Sequence, residues 1–202
     1  MEETQYNIKI RKAKKRDAEF IGTTVAEAIG PEICRDLAED KDVSIVYRLF
    51  SELAARDDSQ YSYRNALMAE NDKGEVVGAI VAYDGANLIE LRKAFIEKAN
   101  ELLGWSMTPE DAEDWEPETN AGEVYIDSLY VTPEYRKRGV ASALINGVIE
   151  EHKGKVKPFG ILCEPENQRA YRLYTKLGFE KDGVNRFAGV PMNHLRLQIE
   201  GA

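Results

Sequence analysis

The feature that most constrains this chain is an ordered run between residues 125 and 179. An apolar, β-branched and aromatic segment closes on Leu129, Tyr130 and Val131. Arg136, Lys137, Arg138 and Gly139 follow, and then Val140, Leu144, Ile145 and Val148 recur at helical spacing. A strand that turns through a basic glycine loop into an amphipathic helix exposes the unpaired amides of the helix start at that loop. Those amides and the positive end of the helix dipole form a site for phosphate. Gly139 lets the backbone approach a ligand closely, and Arg136 and Arg138 supply positive charge. A short basic turn with a glycine is also what a solvated surface loop contains. Its place directly after a strand gives it weight.

Farther along stand Asn167, Ala170, Leu173, Tyr174, Leu177, Gly178 and Phe179. Here the residues reach a resemblance. Arg136, Lys137, Arg138, Gly139, Val140 and Ala141 fit the pattern Gln/Arg, any two, Gly, any, Gly/Ala that marks the GNAT superfamily of N-acetyltransferases. The group from Asn167 to Phe179 resembles that family's downstream signature. With residues 8–13 as a first strand and 67–83 as a hairpin, the resemblance covers most of the chain. It implies acetyl-CoA as acyl donor, a primary amine on a small molecule or peptide as acceptor, and direct attack in a ternary complex without a metal.

Length and charge agree with this reading. A chain of 202 residues buries a substantial core, and we expect one acetyltransferase domain over residues 1–202. The net charge of −9 argues against nucleic acid as a partner, so the basic residues at 136–138 form a local patch on an acidic body. The longest apolar stretch, residues 76–83, is too short to span a bilayer, and Met1, Glu2 and Glu3 do not resemble a leader. No membrane contact and a cytoplasmic location are the expectation. Cys34 and Cys163 read as ordinary thiols, and no spacing of His, Cys, Asp or Glu suggests zinc.

Periodicity gives the architecture. Phe20, Ile21, Val25, Ala28 and Ile29 mark one helix, and Val46, Leu49, Phe50 and Leu53 mark a second. Two strands at 65–70 and 75–83 are joined through Asn71, Asp72, Lys73 and Gly74. A helix from Gly139 to about His152 leads past Gly154 to a strand at 159–163. A helix at 167–177 and strands at 179–184 and 193–199 complete the chain. The sum is α+β, a GNAT-like mixed central sheet with flanking helices. Between two core strands, residues 86–120 add a helix marked by Leu88, Leu91, Phe95, Ala99 and Leu102. Trp105 follows, and then an acidic loop with Glu110, Asp111, Glu113, Asp114, Glu116 and Glu118. That insertion reads either as a solvated loop over a packing helix or as a lining of the acceptor cleft whose carboxylates attract a cationic amine.

The resemblance assigns the chemistry residue by residue. Leu129, Tyr130 and Val131 would bind the pantetheine arm through backbone groups. Arg136, Lys137, Arg138, Gly139, Val140, Ala141 and Ser142 would hold the pyrophosphate, chiefly through amides from Arg138 onward, and Asn167 would contact the CoA arm. Tyr174 would protonate the departing thiolate, although it also shares an apolar helix face with Ala170, Leu173 and Leu177 and could be a half-buried core residue. For the general base, strand alternation puts Asp127 on the face of Leu129 and Val131, and Glu123 at the strand's start is the second candidate. A structural hydrogen bond for Asp127 and a strand-end turn for Glu123 stay open. His194 is an outside candidate for substrate contact, expected to face away from Leu195 and Leu197, and His152 reads as a helix-end residue. A homodimer follows from resemblance alone, and a non-catalytic acyl-CoA-binding module is the alternative to an enzyme.

Overall fold

The computed structural model describes residues 7–153 and 157–198. The readings at Met1, Glu2, Glu3, Gly154 and Ile199 lie outside the described residues. The fold is α+β with a mixed seven-stranded sheet of order β1-β2-β3-β4-β5-β7-β6. Its strands are β1 (Lys9–Lys12), β2 (Ala66–Glu70), β3 (Val76–Asp84), β4 (Val124–Val131), β5 (Phe159–Cys163), β6 (Glu180–Phe187) and β7 (Val190–Leu197). The helices are α1 (Ala18–Ala38), α2 (Ser44–Ala54), α3 (Leu88–Leu103), α4 (Val140–Glu151) and α5 (Gln168–Lys176). The chain divides into two compact units, with β3 and β4 each contributing residues to both.

The first unit comprises Met1–Asp57, Tyr61–Val81 and Ser128–Glu151. Its two long helices lie against each other where Gly22 meets Ser51. A Cβ at Gly22 would come within 2.5 Å of the Ser51 amide nitrogen, so only glycine permits this approach. Of the stripes predicted from spacing, that of the second helix is buried throughout, with Val46, Leu49, Phe50 and Leu53 essentially inaccessible, whereas on the first helix only Ile21 and Val25 are buried, Phe20 and Ile29 are half-buried and Ala28 is exposed. The first helix runs farther than its apolar spacing suggests. It breaks at Gly30, with φ 85°, and resumes at Pro31, because glycine takes the positive φ and proline is tolerated at a new helix start. The hairpin of β2 and β3 closes through Gly74 at φ 76°, with the Asn71 amide donating to the Glu75 carbonyl at 3.0 Å.

The second unit comprises Asp58–Gln60, Ala82–Asp127 and His152–Ala202. Helix α3 forms at the predicted position, and Phe95 packs edge-on against both Trp105 and Trp115, at centroid separations of 5.8 and 6.0 Å. Strand β5 pairs in parallel with β4 over three positions, from Val124↔Phe159 to Ile126↔Ile161, and β4 runs on for five residues beyond the last pair. The β6–β7 hairpin is longer than periodicity suggested. It turns through Ala188 and Gly189, both at positive φ, and alanine at such a position gives no sequence signal. His194 and Leu195 are neighbours on the strand and both are buried. Strand β7 is covered on both faces at this point, which side-chain alternation cannot reveal.

Candidate functional site

The first unit carries the strand, turn and helix start expected to hold phosphate. Strand β4 ends at Val131, a 3-10 turn spans Pro133–Tyr135, and the chain reaches α4 through Arg136, Lys137, Arg138 and Gly139, all four exposed. Lys137 at φ 62° and Gly139 at φ 80° give the turn its shape. The first helical bond of α4 runs from the Ala143 amide to the Gly139 carbonyl at 2.9 Å. The amides of Val140, Ala141 and Ser142 therefore lie in the first turn, where no helical carbonyl precedes them. The arginine side chains are held aside. Arg136 donates from Nε to the Val131 carbonyl at 3.0 Å with its guanidinium 5.7 Å from the Tyr130 ring, and Arg138 lies 5.2 Å from the Tyr135 ring. Gly78 admits this arrangement from below, since a Cβ there would sit 3.0 Å from the Tyr130 carbonyl and 3.3 Å from Leu144 and Val140.

These residues fit a diphosphate ligand. Apart from its two chain neighbours, no residue places a heavy atom within 4 Å of where a Cβ would stand on Gly139, so the turn's outer face is open, and no acidic side chain occurs from Tyr135 through Ser142. Sequence reading thus finds Leu129, Tyr130, Val131 and the residues from Arg136 to Ser142 brought together as one strand, turn and helix start.

The second unit carries the titratable candidates. Asp127 is half-buried and its Oδ2 accepts from the Tyr83 hydroxyl at 2.8 Å. Glu123 is 0% exposed, and its Oε1 accepts from the Thr119 hydroxyl at 2.7 Å and the Asn120 amide at 3.0 Å. His194 Nε2 lies 3.0 Å from the same oxygen. Burial alone would push the Glu123 carboxyl up, but the bonds from His194, the Asn120 amide and Thr119 outweigh it and hold the group below the ordinary carboxylate range. An ionised carboxylate only accepts, so His194 donates from Nε2. The carboxylate lies over Gly160, where a Cβ would approach it to 2.3 Å. Asp127 is thus bound by Tyr83, and Glu123 by Thr119, Asn120 and His194.

Tyr174 is 8% exposed, beside Phe179 at a centroid distance of 6.1 Å. Burial, with the nearby Cys163, pushes its phenol well above the ordinary value. Asn167 caps α5, its Oδ1 accepting from the Ala170 amide at 3.0 Å.

One residue of the acidic loop departs from the solvated reading. Glu110, Glu113, Asp114 and Glu116 are exposed, whereas Glu118 is 4% exposed and its Oε1 accepts from Arg92 Nη2 at 2.9 Å. Its Oε2 lies 3.5 Å from the Tyr125 hydroxyl. Burial, then the charge of Asp127, pushes this carboxyl up to about 7 against the opposing pull of Arg92. A charge run hides such a residue. The available signal was Arg92, a cation among the apolar positions of α3, which a buried helix face accepts only with a counter-charge.

Among the described residues no group of three or more His, Cys, Asp and Glu could hold a metal, and no helix is long and apolar enough to cross a membrane.

Comparison with known proteins agrees with the geometry. The family model for the acetyltransferase (GNAT) family matches residues 31–179, and the chain belongs to that family. A solved acetyltransferase is 26% identical over 95% of this chain and 100% of its own, with a TM-score of 0.71. An N-acetyltransferase from Staphylococcus aureus Mu50 shares the fold at 23% identity and a TM-score of 0.72, over 94% of this chain and all of its own. A Salmonella typhimurium protein solved with its cofactor acetyl-CoA shares it at 17% identity and a TM-score of 0.52, over 97% and 96% of the two chains. A comparison with curated proteins returned no match.

Proposed function

We propose that this protein transfers an acetyl group from acetyl-CoA to a primary amine by direct attack in a ternary complex. The observation that carries the reading is the open turn at Gly139, placed between the end of β4 and the unpaired amides of α4. The amides of Val140, Ala141 and Ser142 would hold the pyrophosphate, and the main chain of Leu129 and Val131 would align the pantetheine arm. Acetyl-CoA supplies the activated acyl group as a thioester. Asn167 is a candidate contact to the CoA arm from its place at the start of α5.

Asp127 takes the proton that the amine loses as it attacks. Glu123 is the weaker candidate, because three donors converge on its Oε1 and its carboxyl is held ionised, a poor proton acceptor near neutral pH. Tyr174 delivers a proton to the sulfur as the carbon–sulfur bond breaks. An ordinary phenol titrates near 10 and an ordinary thiol near 8.5, so this transfer is uphill by about 2 kcal/mol. Burial raises the phenol further. The step is therefore driven by charge developing on sulfur in apolar surroundings, which raise a thiolate's proton affinity as well. The deep burial of Tyr174 also suits a second reading, a non-catalytic acyl-CoA-binding module in which this tyrosine only packs.

The test measures free thiol released from acetyl-CoA with amines, amino acids, polyamines and N-terminal peptides, using the protein and Gly139→Asp. An added carboxylate at the open turn repels pyrophosphate without filling the interior. Amine-dependent release that falls at least tenfold in the variant is the expected result. Tight CoA binding with no release above the blank for any amine would leave the binding-module reading in its place.

A further inference from the structure

Four groups of the second unit form a continuous polar and aromatic path. Glu118 Oε2 lies 3.5 Å from the Tyr125 hydroxyl, the Tyr125 and Tyr83 rings pack edge-on at 5.8 Å, and the Tyr83 hydroxyl donates to Asp127 Oδ2 at 2.8 Å. The two carboxylates thus stand at opposite ends of one tyrosine pair. Glu118 is fixed from the other side by Arg92, which also reaches the Glu116 carbonyl at 3.4 Å and lies 5.7 Å from the Trp115 ring. Asn185 on β6 donates to the Glu118 carbonyl at 3.1 Å and holds the loop backbone. Arg92 Nη1 is buried with no hydrogen-bond partner among the described residues.

We propose that Glu118 and Asp127 act as one proton-accepting unit for the acceptor amine, with Glu118 a positioning residue held by Arg92 and facing Asp127 past the Tyr83–Tyr125 pair. This rests on the assignment of Asp127 as the base. Two carboxylates that feel each other give up their protons in two separated steps that belong to the pair. The charged and titratable groups facing them include Arg92 from α3, Tyr125 from β4 and Tyr83 from β3. Burial and the Asp127 charge outweigh Arg92 at Glu118, so the pair's second proton leaves near neutral pH. A lone aspartate titrates near 3.9 and is a weak acceptor for an amine's proton, whereas a pair that holds its last proton to neutral pH is matched to the task. In the transfer step the amine's proton passes to the pair as the nitrogen–carbon bond forms, and the pair then returns it to solvent.

The test is a carbon-13 titration of the side-chain carboxyls in the intact protein, which needs no acceptor, followed by pH profiles of kcat/KM with an amine from the panel. The Asp127 resonance should respond near neutral pH in the natural protein. In Glu118→Gln, where the amide still accepts from Arg92, that response should vanish, and the acid limb of kcat/KM should move down by about one unit or more, tenfold in proton affinity. Tyr83→Phe should shift both the other way, since losing a donor to the Asp127 anion raises its proton affinity. A single acidic titration of Asp127 that Glu118→Gln leaves unmoved would overturn the proposal, and should Glu118→Gln not fold, Tyr125→Phe, which removes the hydroxyl beside Glu118, must move the Asp127 response upward or the proposal falls. Full transfer by Asp127→Asn would remove the base assignment itself. An inactive Asp127→Asn with an unmoved limb in Glu118→Gln would remove the pairing alone.

Discussion

The Arg92–Glu118 contact has the geometry of a buried ion pair, yet removing its negative charge is expected to stabilise the protein above neutral pH. At 2.9 Å the pair looks favourable, but both partners have left water and Asp127 adds a like charge to Glu118. The balance raises the Glu118 carboxyl from 4.5 to about 7, and at about 1.4 kcal/mol per unit the shift amounts to about 3 kcal/mol. The folded state holds a proton that the unfolded chain releases between those two values. The stability this contributes is fully present below pH 4.5 and is lost as pH rises through about 7. Glutamine mimics the protonated carboxyl. Glu118→Gln should therefore exceed the natural protein by less than about 1 kcal/mol near pH 5 and by about 3 kcal/mol at pH 8. Urea unfolding of both proteins between pH 5 and 8 measures this, and taking the difference between them removes the titrating groups that do not feel Glu118. Asp17 and Glu123, whose carboxyls are held below the ordinary range, lose their contribution only as pH falls below about 4. A variant less stable at pH 8, by an amount that does not change with pH, would show that Arg92 dominates and that the reasoning is wrong.

Two further outcomes follow from single contacts. Gly160→Ala places a methyl group 2.3 Å from the Glu123 carboxylate and should cost about 2–3 kcal/mol, because the bonds from Thr119, Asn120 and His194 cannot all survive the displacement. A urea midpoint unchanged from the natural protein would show that the loop gives way freely. Tyr174→Phe should lower kcat at least tenfold while leaving CoA affinity within about twofold, measured by thiol release and calorimetry. Equal kcat would assign Tyr174 to packing against Phe179.

Much of the architecture was legible because the signals are local. Gly74 and Gly139 stand where the chain needs positive φ, and the stripes of α1, α2 and α4 repeat at the helical period, so both the hairpin and the turn into α4 could be read directly. The continuation of α1 past Gly30 and the long β6–β7 hairpin were not legible. Gly30 with Pro31 reads as a stop, and Ala188 at φ 49° takes a conformation that alanine seldom signals.

By itself the sequence determined the strand, turn and helix that mark the acetyl-CoA side of the family, because helix-start amides, glycine freedom and basic charge are all set within about a dozen neighbouring residues. Only the tertiary structure decided the roles of the carboxylates. Asp127, Glu123 and Glu118 look alike in sequence. Tyr83 reaches the first, His194 and Thr119 engage the second, and Arg92 buries the third. A carboxylate's proton affinity depends on its burial and on which distant partners fold against it, and no local pattern in the chain contains that information.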